Sequence, residues 1–232
     1  MLARLTPKYT EQQQAFAKAV TGSATLMRLR GARSMVAASV VERKRARRDL
    51  DTLLTAYPGA TSFWWMACRL AEADDDKKAA WDALSKARRL APENPRFEAM
   101  SLLVAAWALS VAEADEHLSR VRGHFDTAGA EACLMYALAE IQLARRSKAT
   151  ARRARWERAH HAAQAGLSQS RSQGLYKNLV AAELLTATLL AGDKQTMDIL
   201  YRAGLANLAV TSRSTADVVE LFTESVRTGI AA

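Results

Sequence analysis

The chain has 232 residues, half of them hydrophobic, and a net charge of +9. That length can bury a core without disulfides or metals, and four prolines and ten glycines in an alanine- and leucine-rich chain argue against wholesale disorder. No apolar run is long enough to span a bilayer, and scarce Val and Ile without period-two alternation point to an all-α chain.

In chain order, Thr6 caps and Pro7 opens a helix over residues 7–20, which Thr21-Gly22-Ser23 breaks. Residues 24–56 read as one long helix, or as two with a join near Glu42 to Arg45, closed by Tyr57-Pro58-Gly59. The basic amino terminus resembles a mitochondrial transit peptide in composition, but a retained basic helix is the better reading. Residues 1–58 are therefore expected as basic N-terminal helices, including a degenerate repeat, and residues 59–232 as a helical-repeat domain.

Residues 62–73 place Phe63, Met66, Ala67 and Leu70 at helical spacing, and Asp74-Asp75-Asp76 interrupts them. A second helix follows with Ala80, Ala83, Leu84, Ala87 and Leu90 on one face, stopped by Pro92; Pro95 starts the next. Residues 96–111 and 112–125 form another pair, in which Ala114, Leu118 and Val121 stand 34 positions after Ala80, Leu84 and Ala87. Residues 129–144 form a helix whose partner, residues 156–167, is displaced by an insertion at 145–154. That partner carries a small-residue seam of Ala159, Ala163, Gly166 and Leu167. A last pair covers residues 175–208, and Ser214 caps a final helix over 215–227.

The stretch 61–95 resembles a tetratricopeptide repeat, a unit of 34 residues with small residues where its helices cross and a closing proline. Trp64, Ala67, Cys68 and Ala71 match its first helix, and Ala80, Leu84, Ala87 and Pro92 its second. The resemblance covers residues 60–210. It implies a right-handed α-solenoid of such repeats with a C-terminal capping helix, and a binding scaffold whose first helices line a concave groove. By that resemblance the groove slots are Ser62, Trp65, Arg69 and Glu72, then Ala99, Leu103, Ala106 and Trp107, then Ala182, Thr186 and Leu189. Trp65, Arg69, Leu103 and Trp107 are the expected contacts to a hydrophobic or helical protein segment.

Charge supplies the second signal. Residues 1–50 carry a balance of +8, residues 51–142 of −5 and residues 143–232 of +6. Arg43, Lys44, Arg45, Arg47 and Arg48 form one cluster; Arg145, Arg146, Lys148, Arg152, Arg153, Arg155 and Arg158 form another. Arg43, Lys44, Arg47, Arg48, Lys148, Arg152, Arg153 and Arg155 are the expected contacts to an anion, either nucleic-acid phosphate or an acidic protein face. The insertion is expected to project from the solenoid and to be ordered by that surface, so neutralising its cations should leave stability nearly unchanged.

A catalytic reading finds no support. Phosphate-loop, GxSxG, HExxH and CxxC patterns are missing. His117, His124, His160 and His161 read as surface or capping residues, the three aspartates as helix-end acids, and Cys68 and Cys133 as buried thiols. The expectation is a non-catalytic adaptor, scaffold or chaperone-like subunit without cofactor or metal, binding a protein segment in a larger assembly; the alternative is an RNA-contacting subunit of a ribonucleoprotein. An intracellular, cytoplasmic setting is expected, with a mitochondrial one as the alternative that the basic amino terminus raises.

Overall fold

A computed structural model describes residues 38–191, and among them every regular element is an α-helix. They belong to two compact units, Met1–Ala91 and Pro92–Ala232. The first helix expected from sequence, the second half of the last helix pair and the capping helix lie outside the described residues.

In the first unit, α1 (Val40–Ala56) begins where Ser39 and Glu42 form a reciprocal capping box. No join interrupts Glu42 to Arg45: the basic run is continuous helix. Its Ala46 and Leu50 pack with Phe63, Met66 and Leu70 of α2 (Thr61–Ala73), so Pro58 is a turn within this unit and not its border. Asp75 adopts φ 58°, a left-handed geometry that Asp tolerates. Asp76 then caps α3 (Lys77–Leu90) by accepting from the Ala79 amide at 3.0 Å. Ala80, Ala83, Leu84 and Ala87 form the buried seam of α3, which packs closely on α2.

In the second unit, Asn94 caps α4 (Pro95–Ala108), and Pro95 sits in its first turn, where a missing amide hydrogen costs nothing. Ser110 and Glu113 form a capping box for α5 (Val111–Ser119). The helix expected over residues 112–125 stops at Ser119. Gly123 and Gly129 take φ 84° and 85°, conformations a helix cannot contain, and they bracket the single turn α6 (Phe125–Ala128).

Helix α7 (Ala130–Arg146) is buried on most sides and packs against α4, α8 (Ala149–Gln169) and α9 (Gln173–Ala191). The start of α7 has no side-chain cap of its own. Gln169 at the far end of α8 accepts from the Gly129 amide at 3.1 Å and donates to the Phe125 carbonyl at 2.6 Å, tying the α6–α7 junction in place.

The projecting insertion expected at residues 145–154 is corrected by these helices. Arg145 and Arg146 complete α7, Ala149 opens α8, and only Ser147 and Lys148 lie between. Ala149, Ala151 and Ala154 favour helix, and arginines on both sides find partners that hold it.

Gly166 of α8 lies where the helices approach most closely. A Cβ built there would stand 2.9 Å from the Cys133 Cβ and 2.7 Å from the Leu179 Cδ2. On an open helix face Gly→Ala stabilises by up to about 1 kcal/mol. Here we expect Gly166→Ala to destabilise, by about 1–3 kcal/mol, because Cys133 is anchored to α7 and cannot yield. Urea unfolding of the two forms gives the sign directly.

Candidate interaction surfaces

The basic run of α1 is divided by the helix into two sets. Arg43 Nε meets Asp74 Oδ1 at 2.6 Å and its Nη1 donates to the Ala38 carbonyl. Arg47 reaches Asp74 Oδ2 at 3.2 Å and Asp76 Oδ2 at 3.9 Å. The acidic turn after α2 thus meets two of the cations expected to contact an external anion. Lys44, Arg45 and Arg48 are exposed, and none of the three forms an ion pair among the described residues.

The second cluster is used mainly to brace the second unit. Arg146 donates to the carbonyls of Ala106 at 2.7 Å and Leu109 at 2.5 Å, satisfying acceptors at the carboxy-terminal end of α4. Arg152 donates to the Ser147 carbonyl at 3.3 Å, and Arg153 pairs with Glu157 at 3.2 Å on an exposed face. Lys148 is exposed.

Arg155 departs furthest from expectation: it is 5% exposed. Its guanidinium spans Asp115 with bonds of 2.9 and 2.7 Å, donates to Glu140 Oε2 at 2.8 Å, and its Nε donates to Ser147 Oγ at 2.8 Å. Four of its five N–H donors are taken by this chain's own oxygens and the side chain is buried, so Arg155 is not a contact to an outside anion.

Glu140, with no exposed surface, also accepts from Arg158 at 2.7 and 3.1 Å and from the Tyr136 hydroxyl at 2.8 Å. Arg122 stands 3.6 Å from it and donates to Tyr136 at 3.2 Å. The hydrogen bond from Arg155 holds the Asp115 carboxyl below its usual range, while burial and the Glu140 charge push Tyr136 up to about 12. Sequence offered one faint signal for this cluster, Glu140 within the apolar stretch of residues 132–141.

The expected groove residues fare unequally. In the first unit Trp65 is half-buried, with the Arg69 guanidinium 5.6 Å from its ring centre. Arg69 is itself buried and pairs with the buried Glu72 at 2.6 Å. In the second unit Leu103 and Trp107 are 1% and 2% exposed. Both are core side chains, and neither offers a wall to an incoming segment, which corrects their placement in a groove. Sequence reasoning missed an open cleft of about 430 Å³ in this unit, lined by Glu93, Pro95, Ala99, Leu102, Arg120 and Ala132 among others.

His117 also departs from expectation. It is buried, with Nε2 2.7 Å from Ser101 Oγ, which itself donates to the Glu98 carbonyl. Ser101 has no exposed surface, so this pair joins α4 to α5 and is closed to a substrate. His160 approaches Thr186 at 3.1 Å, joining α8 to α9. No cluster of three or more His, Cys, Asp or Glu suited to a metal occurs among the described residues, and no helix among them is long and apolar enough to cross a membrane. Cys68 and Cys133 are buried free thiols; burial pushes Cys133 up to about 11.

No family model, curated protein or solved structure matches the chain.

The buried cluster generates two expectations. Glu140→Ala leaves guanidiniums facing one another without their shared carboxylate, and should cost about 3–5 kcal/mol in denaturant unfolding. Lys148→Gln and Arg153→Gln should stay within about 0.5 kcal/mol. The acid dependence has a definite sign. Asp115 has a folded pKa below its unfolded value, so its contribution is present above about pH 4 and is lost as pH falls through the folded pKa. Asp115→Asn should therefore flatten the acid limb of a melting temperature against pH curve.

Proposed function

We propose that the chain is a non-catalytic, tetratricopeptide-like helical-repeat scaffold that holds a protein segment within a larger assembly. The observation that carries this reading is the recurrence of a buried seam built on alanine and leucine. Ala80, Leu84 and Ala87 of α3 have no exposed surface, and neither do Ala114 and Leu118 of α5, 34 positions after the first two. Val121, 34 positions after Ala87, packs against the core of its unit. In α8, Ala159 and Ala163 are likewise fully buried, and Gly166 meets its neighbours at the closest approach. Small residues at one recurring place let successive helices cross closely, which is the packing a stacked repeat needs. The right-handed solenoid and its C-terminal cap belong to this same reading.

Stacked helical pairs present surface and not a constellation of reacting groups, so binding is the activity such an architecture serves. Of the four expected groove contacts, Trp65 keeps the most accessible surface, and its ring is braced by Arg69. A rigid, partly exposed tryptophan supplies much binding energy for little lost freedom.

The full-length protein, used as bait in nuclease-treated extract of its native source, should retain a stoichiometric protein partner. Trp65→Ala should weaken that complex about 30-fold in Kd, the equivalent of about 2 kcal/mol, with the variant still cooperatively folded at the assay temperature. A partner lost on nuclease treatment, or held equally by Trp65→Ala, would overturn the reading.

A further inference from the structure

We propose that Ser110–Arg122, helix α5 with the turn behind it, is a strap that swings off the second unit as one piece, about Ser110 and Gly123, while α4, α7 and α8 stay packed. The chain is fixed from outside on both sides of this segment. Before it, Arg146 of α7 donates to the Ala106 and Leu109 carbonyls. Beyond it, Gln169 of α8 donates to the Phe125 carbonyl, and the Phe125 ring stands edge-on to Tyr136 and His161 at 4.9 and 5.6 Å.

Between these anchors both joints are open. Ser110 has extended backbone, and Gly123 takes φ 84° with nothing within 4 Å of where a Cβ would stand, a conformation glycine adopts freely. The apolar hold on the strap is narrow: Ala114 and Leu118 are the aliphatic residues of α5 with no exposed surface, whereas α7 is buried along most of its length. Three polar latches complete it. Arg155 donates to both oxygens of Asp115 at 2.9 and 2.7 Å, Arg122 donates to Tyr136 at 3.2 Å, and His117 Nε2 lies 2.7 Å from Ser101 Oγ.

Each latch can part without orphaning a buried polar group. Arg155 keeps Glu140 and Ser147, and Glu140 keeps Arg155, Arg158 and the Tyr136 hydroxyl. Ser101 keeps the Glu98 carbonyl as its acceptor. Arg122 stands 3.5 Å from Asp115, so the departing carboxylate takes a cation with it. Breaking a buried ion pair is costly because an unpaired charge stays behind, and at this boundary none does. Local openings follow such boundaries.

Opening empties the edge of the Arg155 guanidinium that Asp115 fills and uncovers the apolar seat of Leu118. Helix α5 has nine residues, too short to stay helical in water without its packing, so its amides lose protection when the strap lifts.

The test is native-state hydrogen exchange of the full-length protein, read by mass spectrometry over urea concentrations below the unfolding transition. Amides of residues 114–119 should be protected, yet exchange at least about tenfold faster than those of residues 134–144 and with little dependence on urea, because a lifting strap exposes little surface. Asp115→Asn should speed exchange of residues 114–119 about tenfold, as expected for a charge-assisted hydrogen bond at a partly exposed carboxylate. Gly166→Ala, which strains helix contacts outside the strap, should speed residues 134–144 and leave 114–119 unchanged. Equal rates and equal urea dependence in the two segments would show that α5 leaves only with the whole unit, and would overturn the proposal. So would residues 114–119 without protection, an unchanged rate in Asp115→Asn, or a rise in 114–119 with Gly166→Ala that matches the rise in 134–144.

Discussion

A carboxylate with no contact to water has to be met by donors, and in the second unit Glu140 is met by Arg155, Arg158 and Tyr136, with Arg122 close by. The penalty for burying an ion is several kcal/mol even after the protein relaxes, so α7 can occupy the centre of the unit only if α8 arrives with its arginines in register. Asp115 of α5 bonds the other edge of the same guanidinium. One charge thereby orients three helices, with a directional precision that the surrounding alanine and leucine contacts lack.

Around this cluster the apolar packing is close because the crossing residues are small. Gly166 of α8 lies against Cys133 of α7 and Leu179 of α9, and Ala159, Ala162 and Ala163 on the same helix have no exposed surface. Small side chains let helix axes approach but select poorly among alternative registers. The polar contacts supply that selection: Gln169 ties the α6–α7 junction, and Arg146 the end of α4.

The same economy of charge bears on function. Basic residues that look alike along the chain are put to different uses, some as internal braces and some as exposed cations. In the first unit the acidic turn after α2 meets one side of α1 and leaves the other open. Exposed cations there reflect the pairing geometry of two neighbouring elements as well as composition.

Much of the helical plan was legible in the sequence because its signals are local. Pro92 and Pro95 bound α3 and α4, and the apolar spacing of Phe63, Met66 and Leu70 sets the inward face of α2. The end of α5 was less legible, since Gly123 acts through a positive φ that composition does not announce. The candidate sites were least legible. Leu103 and Trp107 were placed by their slots in a repeat, yet a slot specifies a direction and not what covers it. By itself the sequence determined an all-helical chain, where most of its helices begin and end, and which faces are apolar, because helix periodicity and capping act within a few residues. Only the tertiary structure decided that Arg155 is buried while Arg48 faces solvent. Asp115 and Arg155 are 40 positions apart, and the energy of a charge depends on which distant oxygens folding brings beside it.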